Sequence, residues 1–314
     1  MFELNYNRVM AFTHPEYLVS ADWLEAHLDD PLVRVLDVTA KLTSKLQNRA
    51  KEECFDLGHL PGSVFFDVAS GKGVLSDQGA ELPWMWPDAE EFTASMVAAG
   101  VGPQTRVVLV ARTPRAGIDA GTMWCTRAWW TMHHYGIECS ILHGGIEGWE
   151  AEQRPMTTDV TVVPVSGPPS LATDWAQARA TKDDVLTAIE SSTCLIDALP
   201  ESSFDGTGTG YGPRGGHISG AINVPYMSLV DRETAGFLDA DAMEQQLTEV
   251  GLVGPSATEP VITYCGGAIA ATVDAFALAL FGRTDVSVYD GSLMEWTADA
   301  SLPMTNPAKS GAGS

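Results

Sequence analysis

Residues 261–280, VITYCGGAIAATVDAFALAL, decide how the rest of the chain is read. Residues 261–264 form a short, apolar, largely β-branched run, the pattern of a buried strand. From Ala270 onward the small and apolar residues suit a buried helix. Cys265, Gly266 and Gly267 fall between the two, where a strand must turn into a helix. Such a strand-to-helix passage is the building unit of α/β folds. A cysteine at that junction is either a small residue that packs well or a nucleophile, and its surroundings in the sequence must decide which.

The chain repeats itself. VRVLDVTA (33–40) and TCLIDALP (193–200) each run as a β-branched strand into an aspartate, Asp37 or Asp197. A glycine-histidine element follows in both halves, DLGHLPGSVFFD (56–67) and RGGHISGAINVPY (214–226), carrying His59 and His217. A further strand comes after a glycine turn, at 107–111 and at 261–265. Each half then closes on another strand and a Gly-to-Trp segment, SILHGGIEGW (140–149) and SVYDGSLMEW (287–296). An ordered series of matches of this kind marks two copies of one domain.

Short strands alternating with helical segments predict an α/β fold, each copy a mainly parallel sheet with helices on both faces. Helices are expected over 20–28, 89–99, 121–134, 181–191, 240–250 and 269–281. The expected domains are 14–153 and 177–307. A Pro-, Ser- and Thr-rich linker at 154–176 joins them, and a frayed tail at 308–314 follows.

Composition narrows the function. The 314 residues are 45% hydrophobic, ample for cores, and carry a formal charge of −23. So acidic a chain opposes nonspecific binding to nucleic acid or anionic membranes, which need positive charge. No apolar run is long enough to span a bilayer, and the first residues lack the basic-then-apolar order of a secretion signal. A cytoplasmic protein is expected. Cys54, Cys125, Cys139, Cys194 and Cys265 form no C-x-x-C pair and no zinc-type spacing with histidine. Neither a disulfide framework nor a metal or other cofactor is expected, and only Cys265 stands in a loop suited to chemistry.

The duplicated aspartate strands, the G-H elements, the strand ending in Cys265 and the terminal YDGSLMEW together resemble the tandem-domain rhodaneses, which include thiosulfate and 3-mercaptopyruvate sulfurtransferases. The resemblance covers nearly the whole chain, roughly 17–303. It implies two rhodanese-like domains, with catalysis in the second and a degenerate first copy. The first copy fits that reading, because VVLVARTPRAGIDAGTMW (107–124) has no cysteine where Cys265 stands in the second.

The implied reaction is a double displacement. The Cys265 thiolate takes the transferable sulfur of a small donor, carries it as a persulfide, and yields it to cyanide, a thiol or a protein acceptor. An ordinary thiol, with a pKa of about 8.5, is mostly protonated at neutral pH, and a helix N-terminus lowers that value. The loop Gly266, Gly267, Ala268, Ile269 and Ala270 is therefore expected to turn its amides toward the sulfur. Gly266 and Gly267 are expected to curl the loop through positive φ. A phosphatase loop of the C-x5-R type would need arginine at position 271, which is Ala271.

The donor is harder to read. Within the resemblance, thiosulfate enzymes place basic residues just after the cysteine, and mercaptopyruvate enzymes place a hydroxyl two residues after it. Gly266-Gly267-Ala268 offers neither, and Ala270 stands where Thr or Ser is usual. Ser203 occupies the place of the arginine that binds a carboxylate donor. Arg214, Arg112 and Arg115 are the remaining candidates for anion binding. Thiosulfate or a related small donor is the expectation, 3-mercaptopyruvate the close alternative, and a persulfide relay fed by a desulfurase a third.

Overall fold

β-Branched runs bounded by glycine and proline build the strands. The computed structural model describes residues 11–115, 121–171, 178–231 and 236–310. The sequence divides into two units. Unit 1 comprises Met1–Ala11, Pro15–Trp175 and Asp231–Phe237, and unit 2 comprises Phe12–His14, Ala176–Val230 and Leu238–Ser314.

In unit 1, β1 (Leu18–Val19), β2 (Val33–Asp37), β3 (Val64–Phe65), β4 (Arg106–Val110) and β5 (Cys139–Leu142) form a sheet of order β1-β5-β4-β2-β3. In unit 2 the strands are β6 (Arg179–Ala180), β7 (Cys194–Asp197), β8 (His217–Ile218), β9 (Ile222–Asn223), β10 (Val261–Tyr264), β11 (Val286–Tyr289) and β12 (Met304–Thr305). Five of these make a sheet of order β6-β11-β10-β7-β9, while β8 and β12 pair antiparallel beside it. Every pairing within the two five-stranded sheets is parallel. Strand for strand the two orders are the same, which is the duplication read from the sequence.

The helices lie close to where periodicity and caps put them. Ser20 accepts the Trp23 amide to start Ala21–His27, and Thr181 with Asp184 forms a capping box ahead of Lys182–Ile189. The helix after Cys265 begins two residues later than expected, at Ala271, because the loop before it takes extra bends. All ten residues of Ala271–Leu280 are buried, as a helix apolar on every side must be.

Two boundaries differ from expectation. The described part of the linker, 154–171, groups with unit 1: the His59 and Thr157 backbones form a bridge, and a Cβ on Gly100 would meet Val163 and Pro164. The segment Asp231–Phe237 also groups with unit 1. Of the expected frayed tail, Pro307–Ser310 forms a helical turn, and residues 311–314 lie outside the described residues, as do 1–10 and 172–177. Among the described residues no helix is long and apolar enough to cross a membrane.

Candidate active site

In parallel α/β sheets, sites form beyond the carboxyl ends of the strands. Tyr264, the last residue of β10, pairs in register with Asp197, the last of β7. Cys265 therefore leaves the sheet beside an aspartate. It is 2% exposed. The backbone amides of Ala271, Gly267 and Ile269 lie near its thiol and favour the anion. Burial opposes them and prevails, so the thiol is pushed up from its ordinary value, with the Asp197 charge adding to the rise. The cradle is built for a sulfur anion, yet in the resting protein the thiol form predominates at neutral pH.

The loop turns differently from expectation. Neither Gly266 nor Gly267 takes a positive φ; Ala268 does, at 59°. An alanine tolerates that region only when its surroundings hold it there. The holding group is Ser292, itself at φ 47°. Its hydroxyl donates to the Tyr289 carbonyl at 2.8 Å and accepts the amides of Ala268 at 3.0 Å and Cys265 at 3.3 Å. The Leu293 and Met294 amides close on the Cys265 and Gly266 carbonyls at 3.0 Å each, completing the clamp. Ser292 lies within the YDGSLMEW segment, but nothing local in the sequence marks its hydroxyl as the pin of a loop 24 residues earlier. Ser292→Ala leaves two buried amides unpaired and should cost on the order of 2–4 kcal/mol in urea denaturation, with slower alkylation of Cys265.

Gly266 serves a different purpose. A Cβ there would fall 2.1 Å from Cδ1 and 2.3 Å from Cε1 of Tyr211. The glycine makes room for an aromatic ring against the residue next to the nucleophile. Behind the loop, Asp197 Oδ1 accepts the Leu199 amide at 2.9 Å, as expected of a strand-end organiser. Its other oxygen is buried without a hydrogen-bond partner, and burial raises this carboxyl to about 6 although the Tyr264 phenol nearby opposes the rise.

The anion-binding candidates disperse. Arg214 donates to the main-chain carbonyls of Trp296, Thr297, Asp299 and Leu302, bracing the chain after the Ser292–Trp296 helix. Ser203 is half-buried in the Glu201–Phe204 helix. In unit 1, Arg112 pairs with both oxygens of Glu150 at 2.6 and 2.7 Å, and Arg115 donates to the Leu42 carbonyl at 3.0 Å. His59 and His217 stack on Phe55 and Phe204 and bond the carbonyls of those same residues. Trp149 and Trp296 cap equivalent turns through the Pro155 and Pro303 carbonyls.

Unit 1 keeps one backbone bond of the clamp, without its serine or the nucleophile. The Ile146 amide bonds the Ala111 carbonyl as Leu293 bonds Cys265, and Gly145, at φ 60°, stands where Ser292 stands in unit 2. Two copies of one parallel α/β unit, only one of them ending its central strand in a cysteine, define a duplicated protein, and among the described residues Cys265 is the one cysteine at such a strand end.

Known proteins share this plan. The Rhodanese-like domain family matches residues 20–152 and again 173–299. Over 295 residues the chain is 32% identical to the 3-mercaptopyruvate sulfurtransferase of Escherichia coli (strain K12), spanning 92% of this chain and 97% of that one. It is 27% identical over 312 residues to thiosulfate/3-mercaptopyruvate sulfurtransferase 1, mitochondrial, of Arabidopsis thaliana, covering 92% of this chain and 78% of the relative. The crystal structure of SseA from Escherichia coli, a 3-mercaptopyruvate sulfotransferase of rhodanese fold, matches with a TM-score of 0.73 at 30% identity over 88% of this chain and 98% of that one. The chain belongs to the rhodanese family, and it is a sulfurtransferase.

Proposed function

We propose that this sulfurtransferase carries sulfane sulfur on Cys265 as a persulfide, takes it from 3-mercaptopyruvate, and yields it to cyanide or a thiol. The carrier role rests on the three loop amides converging on the Cys265 sulfur, a cradle that suits a thiolate and a persulfide equally. In the first step the Cys265 sulfur attacks the donor's thiol sulfur. The new S–S bond forms as the C–S bond breaks, and the electron pair leaves on carbon as the enolate of pyruvate. The proton given up by the Cys265 thiol balances the one the enolate takes to become pyruvate. In the second step the acceptor attacks the outer sulfur and frees the thiolate.

Charge supports 3-mercaptopyruvate as the donor. The thiosulfate expectation relied on loop amides together with peripheral arginines, and Arg214 and Arg112 bond main-chain carbonyls and Glu150. The charge that bears most on Cys265 is the Asp197 carboxylate, which disfavours a dianion more than a monoanion. Steady-state turnover to cyanide should give a kcat/KM for 3-mercaptopyruvate roughly tenfold or more above that for thiosulfate, the worth of about 1.4 kcal/mol of charge interaction. A preference for thiosulfate would overturn the donor assignment while leaving the carrier role standing.

A further inference from the structure

Residues 206–216, GTGTGYGPRGG, read as a loose glycine loop, but the structure pins them by close approach. A Cβ on Gly208 would fall 2.7 Å from the Ser202 Oγ, one on Gly212 1.9 Å from the Thr297 Oγ1, and one on Gly216, at φ +98°, 2.2 Å from the Thr305 carbonyl oxygen. At these three positions the strap leaves no room for a Cβ. Its one aromatic side chain, Tyr211, is thereby set with a ring edge on Gly266, immediately after Cys265.

The other tyrosines of this region divide into spent and unspent hydroxyls. The Tyr264 hydroxyl accepts the Ile218 amide at 3.0 Å, and the Tyr289 hydroxyl donates to Glu295 at 2.7 Å. Tyr211 is half-buried, and no hydrogen bond from its hydroxyl to another described residue is present. The charges of Cys265, Tyr226 and Asp197 all reach this phenol, whose ring lies against Gly266. Burial, followed by those neighbours, pushes it up to about 12, so it keeps its proton and remains a hydrogen-bond donor throughout the neutral range.

We propose that Tyr211 is a catalytic residue whose hydroxyl donates to the carbonyl oxygen of the donor and stabilises the enolate that departs when the sulfur moves to Cys265. The assignment rests on 3-mercaptopyruvate being the donor. As the C–S bond breaks, charge gathers on the former ketone oxygen, and a fixed donor aimed there lowers the barrier without reorganising. The loop offers no side chain for the task, because Gly266, Gly267, Ala268 and Ala270 carry no polar group. Tyr211 supplies from a separate segment what the loop lacks.

Tyr211→Phe keeps the ring on Gly266 and removes only the hydroxyl. Single-turnover loading of Cys265 by 3-mercaptopyruvate, followed by pyruvate release, should fall on the order of 100-fold. Loading by sodium polysulfide, whose leaving group bears its charge on sulfur, should stay within about twofold, as should discharge of the persulfide to cyanide. Wild-type rates of loading from 3-mercaptopyruvate in the variant would overturn the role. An equal slowing with both donors would overturn it too, and would mark Tyr211 as packing alone. A wild-type protein that polysulfide loads and 3-mercaptopyruvate does not would overturn the donor assignment and the Tyr211 role together.

Discussion

Gly266→Ala is expected to cut sulfur transfer on the order of 100-fold while the sheet of unit 2 stays folded. The added methyl would lie 2.1 Å from the Tyr211 ring, and the strap carrying that ring is fixed by glycines at Gly208, Gly212 and Gly216. The ring cannot retreat cheaply, so the loop must. A shift of even 1 Å would move the Gly267, Ile269 and Ala271 amides off the sulfur. The expected signature is a fall in kcat/KM together with altered alkylation of Cys265 by iodoacetamide, at nearly unchanged urea stability. Adding Tyr211→Ala to the same chain should return the alkylation rate toward wild type, because the space reopens, without restoring turnover of 3-mercaptopyruvate. Wild-type turnover in Gly266→Ala would show that the ring yields and that the glycine is not needed for room.

The second large effect concerns stability. Asp274 sits on the wholly buried helix after Cys265, is 1% exposed, and has no hydrogen-bond partner for either carboxylate oxygen. Burial, with the Asp197 charge second, pushes its carboxyl well above the ordinary range. The unfolded chain ionises this group near 3.8, whereas burial makes the folded chain hold the proton to higher pH. Stability is therefore complete below about pH 4 and is lost as pH rises, until the folded carboxyl also ionises. Asp274→Asn has the same shape and no titration. Its stability relative to wild type should climb as pH rises above about 4, by at most about 1.4 kcal/mol per pH unit. Urea denaturation of both proteins at pH 4.5 and pH 7 measures this. A difference that does not change between the two would contradict the account.

The two predictions also mark where sequence reading stopped. Strands, helices and the duplication were legible because each depends on local periodicity and short motifs, and the two sheets repeat the same strand order. Cys265 was legible because a strand-to-helix junction positions it whatever the rest of the chain does. The conformation of its loop was not. Glycines suggested positive φ, but the left-handed residue is Ala268, held by a serine that the chain brings back 24 residues later. Gly266 answered to Tyr211, 55 residues away in a segment without periodicity. Arg214 looked like an anion ligand because an arginine in a glycine loop has no visible partner in sequence. Its partners are four carbonyls exposed where the Ser292–Trp296 helix ends, and such an end is apparent only in three dimensions.

The most direct test of the central claim is the mass of the protein after exposure to 3-mercaptopyruvate, with the added sulfur mapped by proteolysis under non-reducing conditions. The wild-type chain should gain one sulfur atom on the peptide that contains Cys265 and lose it to cyanide as thiocyanate. Cys265→Ser should gain none and turn over neither donor. Sulfur mapped to Cys54, Cys125, Cys139 or Cys194, or turnover that survives Cys265→Ser, would contradict the account.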